Sequence, residues 1–184
     1  MIVEIFFGSV ISLEVLVMIS IIISILSPNR RSWPPPSRNS WQFYFFWAGF
    51  YYGLIAFIIL GILNWNSSIT LLLWRIISGG FLVFAGSFIF TWGVATLKLN
   101  RTFGLKGNKI ISNGPYKFTR NPQYLGLFIF IGEFMILTSS ILVLISGILG
   151  IILFMIFPFS EEPWLKQQFG EEYIGYCNRV RRFI

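Results

Sequence analysis

Five apolar runs, about 2–26, 42–63, 69–97, 122–138 and 140–157, restrict this chain more than any other feature. At about 1.5 Å of rise per residue, the first three are long enough to cross a hydrocarbon core of about 30 Å as single helices. The last two are shorter and are parted only by Thr138-Ser139-Ser140, which predicts a tight helical hairpin. Inside a bilayer each span must satisfy its own backbone N–H and C=O groups, and helices do so. The expected fold is therefore all-α: a polytopic membrane protein of about five transmembrane helices with a C-terminal amphipathic helical tail. Composition agrees. Only 11% of residues are charged, where a soluble domain has about a quarter. The first run carries Glu4 and Glu14, lacks a basic n-region and lacks a small-residue cleavage site. It reads as an anchor rather than a signal peptide.

The loops predict an orientation. Arg30, Arg31 and Arg38 fall in 27–41. Lys98, Arg101, Lys106, Lys109, Lys117 and Arg120 fall in 98–121, and Lys166, Arg179, Arg181 and Arg182 in the tail. The turns at 64–68 and 138–140 carry no basic residue. With five spans, all the basic stretches share one face. The positive-inside rule makes that face cytoplasmic, with the N-terminus outside and the C-terminus cytoplasmic. The net charge of +7 is thus read as topology, and no nucleic-acid partner is expected. Pro34-Pro35-Pro36 reads as a short extended spacer, with Trp33 and Trp41 at interfacial depth as in an aromatic belt. Arg75 and Glu133 each lie about six residues from the outer end of a span. They are expected to pair, because a lone charge near the bilayer centre costs about 2.5–3.5 kcal/mol.

The chain has no His, all seven acidic residues are Glu, and the single Cys is Cys177. Histidine acid–base catalysis, Ser-His-Asp triads, and metals held by His or cysteine clusters are excluded. No metal is expected. Chemistry is left to Glu, Lys, Arg, Tyr, backbone groups or a bound cofactor.

Two short stretches stand out. In Arg120-Asn121-Pro122, Asn suits a helix N-cap and Pro the first helical position. In Ser160-Glu161-Glu162-Pro163-Trp164, Ser160 is expected to cap a helix whose first turn holds two glutamates. Adjacent carboxylates at an anionic membrane surface call for a cationic or hydrogen-bonding partner. Folding the hairpin about Ser139 supplies one. Asn121 lies about 18 residues before that turn and Glu161 about 22 after it, so both reach one depth on neighbouring helices. Free N–H groups at the helix start, the charge of Arg120 and the glutamate acceptors together suit a zwitterionic ligand with hydroxyls. Each stretch alone also reads as a plain helix cap, and Gly126 as a close-packing glycine. In the tail, Leu165, Phe169, Tyr173, Tyr176 and Val180 recur at intervals of three and four, and Gly170 is expected to break two short helices there. Such a tail lies on the membrane surface or closes over a pocket.

The pattern G-P-Y-x-x-x-R-N-P-x-Y-x-G from Gly114, an apolar hairpin, then E-E-x-x-L-x-x-x-F-G-E-E-Y-x-x-Y from Glu161 resembles the C-terminal half of the membrane methyltransferases. That group includes isoprenylcysteine carboxyl methyltransferases and phospholipid N-methyltransferases, and the resemblance covers about 106–180. It implies an S-adenosylmethionine-dependent methyltransferase acting on a lipophilic acceptor, a lipid amine or a prenyl-type carboxylate, at the cytoplasmic membrane face. It implies cofactor contacts from Tyr116, Asn121, Pro122, Gln123, Tyr124 and Glu161, with Glu162 added as in the phospholipid enzymes. Asn108, Lys109, Ile110 and Ile111 would contribute mainly backbone, and Arg120 is expected near the methionine carboxylate. Asn121 stands where the carboxyl methyltransferases have His, and Phe157 where they have a substrate-contacting Arg. The likeness is therefore greater to the phospholipid branch. No catalytic base is assigned. Two other readings stay open: an NADPH-dependent sterol-type membrane reductase, which shares an R-x-P-x-Y-like stretch and a tail resembling 173–180, and a non-enzymatic structural membrane protein. A single domain over 1–184 is expected, with a three-helix part at 1–97 and the cofactor-binding loop, hairpin and tail at 98–184.

Overall fold

A computed structural model describes residues 1–65 and 72–183. Residues 66–68 of the turn expected at 64–68, and the 69–71 start of the third apolar run, lie outside the described residues. The helices in chain order are α1 (Ile2–Leu26), α2 (Trp41–Leu63), α3 (Leu72–Leu97), α4 (Leu99–Thr102), α5 (Pro122–Thr138), α6 (Ile141–Phe169) and α7 (Glu171–Arg179). Tight 3-10 turns occupy Pro28–Arg30 and Gly114–Lys117. Among the described residues there is no strand. Helices α1, α2, α3 and α6 are long and apolar enough to cross a membrane, and α5 is a shorter apolar helix. The protein is a polytopic all-α membrane protein, as its hydropathy predicts. Large apolar side chains such as Phe81, Phe84 and Phe88 on α3 are exposed, as a lipid-facing surface requires.

Helix α3 packs most extensively on α5, and glycine is the reason. Gly79, Gly86 and Gly93 repeat every seventh residue and so lie on one face of α3. A Cβ at Gly86 would stand 2.7 Å from Phe130 N, and one at Gly126 only 2.5 Å from Phe90 N. The two backbones touch there, which no larger residue permits. Cβ positions on Gly79 and Gly93 point at Leu137 and Gln123 respectively, so the helices run antiparallel. The α5–α6 hairpin forms as expected. Ser139 ends α5 in the left-handed region at φ 47°, and Ser140 caps α6, its hydroxyl accepting from Val143 N at 3.3 Å. Helix α1 packs on both α2 and α6, and Val17, Ile21, Phe46, Leu153 and Phe157 form a buried core between them.

Three expectations need correction. Ser160 is not a cap, because α6 runs unbroken from the membrane span to Phe169 through Pro158 and Pro163. Each proline removes one helical hydrogen bond, but tertiary bonds hold this turn: Ser160 Oγ donates to Trp33 O at 2.5 Å. Trp33 is not an interfacial belt residue. It is 5% exposed and packs on Phe46 and Phe157, with ring centroids 5.0 and 5.6 Å away. Its neighbours Pro34 and Pro35 are buried with it, so the run is a packed plug rather than a free spacer. Finally, among the described residues Arg75 meets a backbone carbonyl rather than Glu133: Nη2 donates to Leu137 O at 2.5 Å, where the end of α5 leaves carbonyls unpaired.

Candidate active site

Four segments converge at the end of the bundle that carries the 98–121 loop: that loop, the start of α5, the last turns of α6, and α7. They enclose a cleft of about 920 Å³ of atom-free space, open to solvent. The hairpin turn fixes the register of α5 against α6, and this brings Tyr124 onto Glu161. Glu161 Oε1 accepts from Tyr124 OH at 2.5 Å and from Trp33 Nε1 at 2.7 Å. The carboxylate, itself on α6, is therefore anchored by one oxygen to α5 and to the Trp33 plug.

Glu162 is held differently. Arg120 Nη2 lies 3.1 Å from its Oε1, and Arg182 binds both its oxygens at 2.8 Å. The bidentate contact with Glu162 raises the Arg182 pKa above its usual value. Arg182 belongs to a strap formed by the chain after α7. Arg120 N donates to Arg181 O at 2.9 Å, while Thr119 Oγ1 and Asn121 Nδ2 both donate to Arg182 O at 3.0 Å. Phe183 packs on Phe128, ring centroids 5.3 Å apart. Asn121 does hold the N-cap position of α5, but its side chain makes no capping bond; its amide is engaged by the strap.

Helix α7 closes the cleft from the side. Tyr176 OH donates to Tyr116 O at 2.8 Å, and Gln168 Nε2 reaches Gly107 O at 2.6 Å. Tyr116, Tyr173 and Tyr176 are each about 4–6% exposed. Burial pushes all three phenols well above their ordinary range, helped at Tyr116 by the Glu161 charge and at Tyr173 by Glu162. They are neutral hydrogen-bonding groups rather than bases. Two buried polar atoms at this cleft lack a hydrogen-bond partner among the described residues: the acceptor Gln168 Oε1 and the donor Arg120 Nε. Such atoms call for a ligand or water to satisfy them.

A phospholipid methyltransferase family model matches residues 74–172, just over half of the chain. The chain belongs to the phospholipid methyltransferase family. No curated protein and no solved structure matches it. The phospholipid methyltransferase match spans α3, the 98–121 loop, the α5–α6 hairpin and the start of α7, which are the elements that build most of the cleft. It leaves out Trp33 and the Arg182 strap.

Of the residues singled out from sequence, Ile110, Ile111, Tyr116, Arg120, Asn121, Gln123, Tyr124, Glu161 and Glu162 line the cleft. Asn108 and Lys109 are not on its wall, and Pro122 is fully buried as the first residue of α5. Sequence reasoning missed Trp33, Gln168 and the Arg182 strap. Gln168 lies one helical turn from both Leu165 and Trp164, so the amphipathic spacing of the tail carries a signal for it. Nothing local marks Trp33 or Arg182, whose partners lie far along the chain. The tail borders the cleft: Leu165, Phe169, Tyr173 and Tyr176 all line it.

Proposed function

We propose that this protein is an S-adenosylmethionine-dependent methyltransferase that modifies a lipophilic acceptor, a lipid amine or a prenyl-type carboxylate, at the cytoplasmic membrane face, with its N-terminus outside. The observation that carries the reading is the anchored Glu161 carboxylate, set in the same cleft as two unsatisfied polar atoms of opposite kind. A zwitterionic nucleoside-bearing ligand answers that set. Arg120 Nε would take a carboxylate, while Gln168 Oε1 and the free oxygen of Glu161 would accept from hydroxyl or amino groups. The residues present fit the cofactor.

When bound, S-adenosylmethionine supplies an electrophilic methyl group for in-line displacement. Such a transfer depends on alignment and on a dry site more than on a strong acid or base. The chain's residues are suited to that division of labour. Trp33 and Tyr124 hold Glu161 in one orientation, and the Glu162–Arg120–Arg182 ion pairs fix the start of α5 against the strap. The buried tyrosines of the loop and α7 exclude water and, being neutral, withdraw no proton. No side chain is assigned as a general base.

The test is binding of labelled S-adenosylmethionine to purified protein, with NADPH in a parallel titration. Saturable binding of the first alone is the expected result. Binding of NADPH alone would overturn the reading in favour of a reductase, and binding of neither would overturn it in favour of a non-enzymatic role.

A further inference from the structure

A second cavity lies deeper among the spans, between α1, α2, α5 and α6. Its walls are apolar side chains and glycines, with two polar exceptions. Ser146 already donates to the carbonyls of Leu142 and Val143 within its own helix. The other exception is Glu14, near the middle of α1, whose buried Oε2 has no hydrogen-bond partner among the described residues. Gly150 makes room for it, since a Cβ there would stand 3.1 Å from Glu14 Oε1. A carboxyl group inside a bilayer is costly and needs a partner, and lipid tails offer no donor.

The chamber lies next to the active-site cleft, with one smaller cavity between them. A third cavity shares Phe46, Phe50, Leu127, Phe154 and Phe157 with the Glu14 chamber, and it shares Thr102, Gln123 and Tyr124 with the cleft. Aromatic side chains thus line the space between Tyr124 and the Glu14 chamber. Along α1, Glu14 lies about 15 Å from Ser24, whose hydroxyl accepts from Ser32 N at 3.0 Å beside the Trp33 plug.

We propose that the chamber holds the chain of the methyl acceptor, and that Glu14 receives a hydrogen bond from a hydroxyl or protonated amine carried by that chain. The donor would lie about 15 Å along α1 from the level of the Trp33 plug. The acceptor is then a lipid with a polar group partway along its chain rather than one with plain hydrocarbon tails. The proposal rests on the methyltransferase reading for its assignment of the occupant as acceptor.

The experiment uses the full chain in phosphatidylcholine nanodiscs with three probes: octadecanol, octadecanol with a second hydroxyl about 15 Å along the chain, and the analogue with an amine there. Labelling of Glu14 by dicyclohexylcarbodiimide is read by peptide mass spectrometry, and thermal stabilisation is measured in parallel. The substituted probes should protect Glu14, and should stabilise the protein, at about tenfold lower concentration than octadecanol. Glu14→Leu should abolish that preference in the thermal measurement. Glu14→Gln should keep it for the hydroxyl and lose it for the amine. Equal potency of all three probes, or a preference unchanged in Glu14→Leu, would overturn the proposal. A separate S-adenosylmethionine titration distinguishes the two readings. Cofactor binding with undiscriminated probes defeats this proposal alone, whereas probe discrimination without cofactor binding supports the Glu14 site and defeats the methyltransferase reading.

Discussion

Trp33 Nε1 donates to Glu161 Oε1 at 2.7 Å, joining the loop after α1 to the far end of α6 across 128 residues of sequence. Trp33→Phe keeps an aromatic ring against Phe46 and Phe157 but removes the donor together with part of the indole's volume. Hydrogen bonds to charged groups contribute about 1.5–3 kcal/mol, so S-adenosylmethionine affinity should fall by up to that amount. Calorimetric titration checks this, and unchanged affinity would show that Glu161 needs no anchor.

The bond also shows where sequence reasoning stops. Hydropathy located the spans because each helix must satisfy its own backbone, and the hairpin register followed from counting residues about Ser139. Arg120, Tyr124, Glu161 and Glu162 meet for that reason. Ser160 has the composition of a cap, yet α6 passes through it, with Ser160 and Glu161 both bonded to Trp33 from the loop after α1. Asn121 occupies its expected cap position, but its amide bonds to a carbonyl 61 residues on. Local patterns place a residue on an element; they do not report partners brought from another part of the chain.

The glycine seam gives a stability prediction. Gly126→Ala would put a Cβ 2.5 Å from Phe90 N, where backbone on both sides cannot yield. It should destabilise by about 1–3 kcal/mol or more. Gly132→Ala on the same helix meets nothing within 4 Å and should be neutral or stabilising by up to about 1 kcal/mol. Thermal melts in detergent compare the two, and equal melting temperatures would refute the close α3–α5 contact.

Glu162 and Arg182 should be energetically coupled. Both are partly sheltered, at 12% and 30% side-chain exposure, and their contact is bidentate. A double-mutant cycle on Glu162→Gln and Arg182→Gln should give a coupling of about 0.5–3 kcal/mol in unfolding free energy. Strict additivity would mean that the strap is not held by this pair.

The proposed orientation is tested by single cysteines at Ser37 and Ser67 in a Cys177→Ser background. An impermeant maleimide should label Ser37Cys from the cytoplasmic side and Ser67Cys from the other. Labelling of both positions from one side would contradict the five-span topology.

The most direct test of the central claim is calorimetric titration of S-adenosylmethionine into the wild-type protein and Glu161→Gln, with melting temperatures measured alongside. The account predicts saturable binding to the wild type. For Glu161→Gln it predicts a loss of about 1–3 kcal/mol in affinity, while the variant stays folded. Equal affinity in the two proteins would contradict it.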